Sequence, residues 1–278
     1  MKTIFFQDFI KENNDYINKE IALCIGVFDG IHLGHREILN KVVDNSLFSV
    51  VMTFSSNPKM KTGRRENVNP LLSENLKTQL FEKKGFNLQV IIDFSQKISK
   101  LTADEFLQML CKNLNIKKLV VGEDFQLGNP KACLKAFELQ EHLSSYSEDA
   151  KVVITKPIVD KDNKVISSSR IRQLIKKGKM DVVHNLLGRE YLLDLGLTPS
   201  QFSGSSMLIK ADDVNQLLPC SGSFTGFWVE NNLNTSIIID KKVIKIIPYP
   251  KTFAKNMTLA IARQRVSKWS LKNKKLRL

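Results

Sequence analysis

Cysteine is scarce in this chain. Cys24, Cys111, Cys133 and Cys220 are the four in 278 residues, they stand apart in apolar or helical contexts, and no CxxC pair occurs. A disulfide framework or a zinc site is therefore not expected. Long apolar runs are missing as well: no stretch approaches the ~20 residues that a membrane helix needs. The amino-terminal MKTIFFQDFIKENN is broken by Asp8 and Lys11 before a signal-peptide core could form. A cytoplasmic location without a membrane partner is the expectation. Internal repeats and low-complexity linkers are lacking too. Acidic residues are in deficit, 28 against 42 Lys and Arg, for a net charge of +14. The deficit is concentrated late, where residues 189–278 hold 14 basic and 6 acidic side chains. Such a surface favours phosphate-bearing partners, nucleotides or nucleic acid. What remains, 42% hydrophobic and 25% charged, is the balance of a water-soluble globular chain with one large or two modest cores.

Between Ile21 and about Pro157, apolar and β-branched runs alternate with amphipathic stretches. IALCIGVF, LFSVVMTF, LQVIIDF, KKLVVG and KVVITKP read as strands; REILNKVV, SENLKTQLFEKK, TADEFLQMLCKNL and KAFELQEHL read as helices. Near-continuous apolar strands separated by helices predict a doubly wound α/β fold with a parallel sheet, whose ligands sit beyond the carboxyl ends of the strands. Two short helices follow, SRIRQLIKKG and MDVVHNLLG, each closed by a glycine suited to a left-handed turn. After Gly188 the texture becomes strand-like, in FTGFWVENN and TSIIIDKKVIKIIPYP, with AKNMTLAIARQRVSKW as a terminal helix. The expected organisation is a domain over 1–188 and a smaller β-barrel-like domain with a carboxyl-terminal helix over 189–278.

Histidine is the rarest informative residue. Of only four, His32 and His35 stand three apart in GVFDGIHLGH, where the first strand hands over to a helix. Gly30 and Gly34 remove side chains where a phosphate could approach the backbone. The helix start directs free N–H groups and the positive dipole end toward the same space. At i and i+3 the two imidazoles can share one side of the first turn, and, titrating near neutrality, they can donate to phosphate oxygens. Preorganised donors of this kind stabilise the charge that builds on an attacked phosphorus, with no protein nucleophile. His142 and His184, on helical stretches, read as ordinary surface or core residues.

GVFDGIHLGH resembles the signature of the nucleotidylyltransferase superfamily in its flavin branch, the bacterial bifunctional riboflavin kinase/FAD synthetases. MTFSSNP is similar to the family's second-strand segment, VVGEDFQLG to its G-x-D-F-x-x-G segment, and ISSSRIRQLIKKGKMDVVHNLLGREYLL to its I-S-S-[TS]-R-I-R segment and the helices after it. The resemblance spans about residues 15–195. It implies a Rossmann-like adenylyltransferase over 1–188 that makes FAD and pyrophosphate from FMN and ATP with Mg²⁺. His32 and His35 would contact the triphosphate and stabilise the transition state, over a nucleotide site shaped by Gly26, Val27, Phe28, Asp29, Gly30 and Gly34. Ser167, Ser168, Ser169, Arg170 and Arg172 would hold the leaving phosphates, since hydroxyls and guanidinium groups at a helix start suit that charge. Phe54, Asn57, Pro58, Asp124 and Phe125 align with segments that line the FMN pocket in relatives.

The chain departs from the family pattern in two places. Ser55, Ser56 and Asn57 stand where Asp, Pro and His are usual. Gln126 and Leu127 replace Arg and Phe, and the glycine usual near Ala132 or Cys133 is missing. The carboxyl-terminal kinase signals, G-x-P-T-A-N and N-x-G-x-x-P-T, are also lacking. SGSFTGFWVENN is at most a remnant of a barrel strand, and Glu230 reads as an exposed turn residue. Riboflavin kinase activity is therefore expected to be lost or weak. The tail from Lys255 to Leu278, with eight basic residues and no acid, reads first as a solvated docking helix, then as a contact for nucleic acid or anionic flavin nucleotides. Two other readings remain: the same site acting on another phosphate-bearing acceptor, and a flavin- or nucleic-acid-binding regulator that keeps the fold without turnover. An intact HxGH beside SSSRIR speaks against the regulator, so a nucleic-acid partner is not expected.

Overall fold

A computed structural model of the chain describes residues 1–12, 15–43, 46–55, 69–93, 96–130, 132–250 and 257–264. Two compact units are present, Met1–Val68 with Lys77–Val165, and Asn69–Leu76 with Ile166–Leu278. The first is built on β1 (Lys2–Phe5), β2 (Glu20–Ile25), β3 (Phe48–Phe54), β4 (Leu88–Ile92), β5 (Asn115–Gly122) and β8 (Lys151–Thr155). A two-stranded hairpin, β6 (Gln126–Leu127) with β7 (Leu134–Lys135), is separate from that sheet. Its helices are α1 (Phe6–Phe9), α2 (Leu33–Val42), most of α3 (Glu74–Lys84), α4 (Gln96–Ser99), α5 (Ala103–Cys111) and α6 (Leu139–Ser144). The five predicted strands all form, and with β1, which the sequence reading did not mark, they make a six-stranded parallel sheet in the order β1-β4-β3-β2-β5-β8.

The physical cause is burial. Ile21, Leu23 and Ile25 of β2, Val50 and Met52 of β3, and Leu119 and Val121 of β5 enter one core with Phe106, Leu107 and Leu110 of α5. On the opposite pleats Ala22, Cys24, Val51 and Val120 are buried as well, so these strands are covered on both faces. α5 is set by a capping box: the Glu105 N–H donates to Thr102 Oγ1 at 3.2 Å, and the Thr102 N–H donates to Glu105 Oε2 at 2.7 Å. From β2 the chain steps to β3 and β4 on one side, then to β5 and β8 on the other. The strand order therefore reverses between β2 and β5, and their carboxyl ends flank the position where open α/β sheets hold ligands.

The second unit contains α7 (Ser168–Lys176), α8 (Met180–Leu187) and seven strands: β9 (Tyr191–Asp194), β10 (Ser200–Ser203), β11 (Ser206–Lys210), β12 (Gly222–Trp228), β13 (Leu233–Ile239), β14 (Val243–Ile247) and β15 (Thr258–Gln264). They form a curled antiparallel half-barrel in the order β10-β11-β14-β13-β12-β15-β9. Phe224, Trp228, Ile237, Ile239, Ile244 and Ile246 are its buried face. Gly178 and Gly188 take the expected left-handed conformation after α7 and α8.

One expectation fails. Within the expected terminal helix, Thr258–Gln264 is β15, paired antiparallel with β12 and β9. Leu259, Ala260 and Ile261 are all buried, and a short run of consecutive apolar residues fits a strand flanked on both sides as well as it fits a helix. The two neighbouring strands decide the matter by supplying backbone partners. The remainder of that stretch, residues 265–278, lies outside the described residues.

Candidate active site

The turn after β2 is strained. Phe28, Gly30 and Ile31 have φ of 48°, 87° and 41°; only Gly30 adopts that region without steric cost, and each of the others stores roughly 1–3 kcal/mol. Packing holds the two strained side chains in place, since Phe28 and Ile31 are both buried. The Phe28 ring folds back on its own loop, meets Phe81 of α3 edge-on at 5.8 Å, and meets His35 edge-on at 5.5 Å. A Cβ on Gly26 would stand 3.0 Å from that ring, so glycine is needed there for space. Thr53 Oγ1, fully buried in β3, donates to the Val27 carbonyl at 3.4 Å. The Ile31 N–H closes the turn on the Phe28 carbonyl at 3.2 Å. Asp29 is 9% exposed within it.

His32 then caps α2. Its Nδ1 accepts the His35 N–H at 3.3 Å, which puts the proton of the neutral ring on Nε2. The cap uses the third N–H of the helix, and the amides of Leu33 and Gly34 have no partner one turn earlier in the ladder. The His32 and His35 rings stack at 3.7 Å and 18°, so the i, i+3 pair does share one side. Their charge state differs from the expected one. Burial pushes His32 down to about 4; burial, then the adjacent His32, holds His35 well below the ordinary imidazole range. Two stacked imidazolium ions would repel by roughly 4–5 kcal/mol even at an effective dielectric of ~20. Both rings are therefore neutral hydrogen-bond donors at pH 7, a role that neutral imidazole at a helix start performs elsewhere.

A pH effect follows from the sign of the shift. A histidine whose folded pKa is lowered contributes stability above about pH 6.5, because between that value and about 4 the unfolded chain takes the proton and the folded chain does not. His32 alone should cost about 2 kcal/mol of stability between pH 7 and pH 5. Thermal melting at the two pH values checks this, with His32→Asn as the comparison that removes the share due to His32 and leaves that of the buried His35.

Along the other strand ends, Phe54 closes β3 and packs partly against the core. The Phe125 N–H returns to the Gly122 carbonyl at 3.0 Å, making a turn at the end of β5. This exposes Asp124 and leaves Phe125 half-buried against the same core. A Cβ on Gly122 would come 3.1 Å from Asp124 Oδ1. Leu127, which replaces the family's Phe, is a core residue of the β6–β7 hairpin. Asn57 and Pro58 lie outside the described residues. The ends of β3, β2 and β5 are adjacent in the sheet, so Phe54, the Gly26–His35 loop and Asp124–Phe125 stand along one edge of it.

The second motif belongs to the other unit. Ser167 caps α7, its Oγ accepting the Arg170 N–H at 3.3 Å, and Ile171 and Ile175 bury the opposite face. Ser168, Ser169 and Arg170 occupy the first turn. Arg172 donates from Nη1 to the Asn69 carbonyl. His142 is held by Asp104 at 2.8 Å and His184 by Glu190 at 3.1 Å, as befits residues with structural work. Thr53, Lys77 and Gln216 are among the buried polar residues that escaped the sequence reading. Lys77 lies one helical turn before Phe81 on α3, and no local pattern marks it as buried.

Residues 14–170 match the family model for FAD synthetase. The chain belongs to the FAD synthetase family. Both histidines of the first motif and Ser167–Arg170 of the second fall inside the matched stretch. Two curated relatives illustrate the likeness. One is a bifunctional riboflavin kinase/FMN adenylyltransferase of Buchnera aphidicola, 27% identical over 184 residues, covering 63% of this chain and 57% of the relative. The other is an FAD synthetase of Listeria monocytogenes, 25% identical over 212 residues, covering 74% and 81%. Against the Buchnera relative and a bifunctional Listeria relative, the chain spans 57% and 60% of their lengths. Among solved structures, a protein from Streptococcus pneumoniae titled a macrolide-efflux protein superposes with a TM-score of 0.76 at 20% identity, over 99% of this chain and 96% of that one. That likeness shows a shared fold that includes the antiparallel unit. Among the described residues no helix is long and apolar enough to cross a membrane.

Proposed function

We propose that the chain is an FMN adenylyltransferase: a phosphate oxygen of FMN attacks the α-phosphorus of ATP, the α–β anhydride bond breaks, and FAD and pyrophosphate are formed. The observation that carries this reading is the stacked pair of neutral imidazoles at the start of α2, above helix amides that can take an anion. The Nε2–H of His32 is assigned to the phosphate oxygens that gain charge, and His35 buttresses it and shares the load. Gly26, Val27, Phe28, Asp29, Gly30 and Gly34 form the nucleotide side of the loop. Ser167, Ser168, Ser169 and Arg170, with Arg172 behind them, are assigned to the departing pyrophosphate. Phe54, Asn57, Pro58, Asp124 and Phe125 are assigned to FMN. Mg²⁺ enters as Mg·ATP, held largely by phosphate oxygens, which suits that ion; among the described residues no cluster of three His, Cys, Asp or Glu forms a cage of its own. We assign this activity to residues 1–188 and place the protein in the cytoplasm.

Residues 189–278 are assigned a kinase-like sheet whose riboflavin kinase activity is lost or weak. The kinase signature segments are lacking, and the carboxylate of Glu230 accepts the Thr258 N–H at 2.7 Å, which ties it to the start of β15. Pure protein incubated with Mg·ATP and FMN should yield FAD and pyrophosphate, and with Mg·ATP and riboflavin it should yield little or no FMN and FAD together, as resolved by chromatography of the flavins. Absence of FAD in the first reaction would overturn the transferase assignment, and substantial FMN or FAD in the second would overturn the loss of the kinase.

A further inference from the structure

We propose that Gln216 is a positioning residue for ATP: it grips the segment Asn69–Leu76, whose first carbonyl holds the Arg172 guanidinium of the second phosphate motif. The inference rests on the adenylyl-transfer reading above and gives the antiparallel unit a part in it.

Gln216 is 2% exposed and spends its whole amide on backbone. Its Oε1 accepts the Asp194 N–H at 2.7 Å, and its Nε2 donates to the Leu71 carbonyl at 3.2 Å and the Leu192 carbonyl at 3.0 Å. This joins segment 69–76 to β9. The next residue repeats the connection, the Leu217 N–H donating to the Pro70 carbonyl at 3.0 Å, while the Leu217 carbonyl accepts the buried Tyr191 hydroxyl at 2.7 Å. At the far end Asp194 Oδ2 accepts Ser73 Oγ at 2.7 Å and Asn75 Nδ2 at 3.0 Å, and Ser73 Oγ in turn accepts the Leu76 N–H at the start of α3. The segment is thus fixed at Pro70, Leu71, Ser73 and Asn75, all by residues of the second unit.

The other function of this fixed segment is to present the Asn69 carbonyl to Arg172 Nη1. Arg172 lies two residues beyond Arg170 on α7, so an acceptor that cannot wander sets the rotation of the helix that carries Ser167–Arg170. Losing Gln216 strands one N–H and two carbonyls in a buried place, and it releases the segment close to Asn69. A chain without kinase signatures thereby keeps a use for β9 and the 216–217 loop, which brace the ATP side of the transferase.

The test is a double-mutant cycle on the full chain, with Mg·ATP and FMN varied separately. Gln216→Met should raise KM for ATP by roughly 5–10-fold, the size of one or two lost hydrogen bonds, with KM for FMN within about 2-fold. In the Arg172→Lys background the same change should raise KM for ATP by less than about 2-fold, because coupled residues are not additive. Equal factors in both backgrounds, or parallel rises for ATP and FMN, would refute the assignment. If Gln216→Met does not fold, Asp194→Ala, which frees Ser73 and Asn75, should give a smaller rise confined to ATP, and no such rise refutes it equally. Calorimetric titration with Mg·ATP reads the same coupling without turnover. Wild-type protein that binds ATP with this coupling but makes no FAD would sink the transferase reading alone.

Discussion

Replacing His32 with asparagine is expected to lower kcat/KM for FAD formation by about 10²–10³-fold, the usual cost of one lost preorganised donor, while leaving the fold intact. Asparagine separates the two functions of this residue. Its short amide oxygen is among the best acceptors at a helix N-cap, so the bond to the His35 N–H at the start of α2 can persist. Its NH₂ does not reach where the Nε2–H of an imidazole stacked at 3.7 Å on His35 reaches. Because both rings are neutral in the folded protein, the rate of the unaltered protein should show no limb near pH 6.5 from these histidines. Steady-state rates with Mg·ATP and FMN, beside thermal melting, check the two halves. Loss of rate with unchanged melting at pH 7 is the expected pair. A variant that retains full activity would remove the imidazole from the chemistry.

Gly226→Ala is expected to destabilise the antiparallel unit by at least about 3 kcal/mol, the upper range for overpacking a closed core. Gly226 is buried in β12 where its register with β15 shifts. An added Cβ would overlap the Ala260 carbonyl oxygen of β15 and come 2.7 Å from Ile237 Cδ1 of β13. The first obstacle is backbone in the interior of a sheet, so relief requires two strands to separate. Urea denaturation of the variant beside the unaltered chain measures the effect. Unchanged stability would mean that residues 258–264 do not pack against β12 as a strand, and the terminal helix suggested by the sequence would return.

The legible parts of this protein are those whose signals are local. The five apolar runs of the parallel sheet, the helical run after Thr102, the glycines after α7 and α8, and the pair of histidines at a strand–helix junction each carry their meaning within a dozen residues. Where the signal is weak or shared, the sequence under-determines the outcome. SQFS, half of it serine, and SMLIK, only five residues long, are the strands β10 and β11; they are too weakly patterned to announce themselves, and they form because β14 offers an edge. Leu259–Ile261 could satisfy either period until β12 and β9 flanked it. Leu127 occupies the place of a family aromatic, yet burial alone makes it a core residue.

Chemistry behaves the same way. Residue type and spacing determined that two imidazoles would stand together at one helix start and a run of serines at another. Tertiary structure decided their state: burial and stacking remove the positive charge that spacing alone allowed, and a strained turn clamped by Phe28 fixes where they stand. It also decided that Arg172 answers to a segment a hundred residues earlier, through Gln216, a residue no local pattern marks. Periodicity and capping act over a few residues and can be read along the chain. Desolvation and long-range hydrogen bonding depend on which distant residues come to surround a group, and only the folded molecule supplies those.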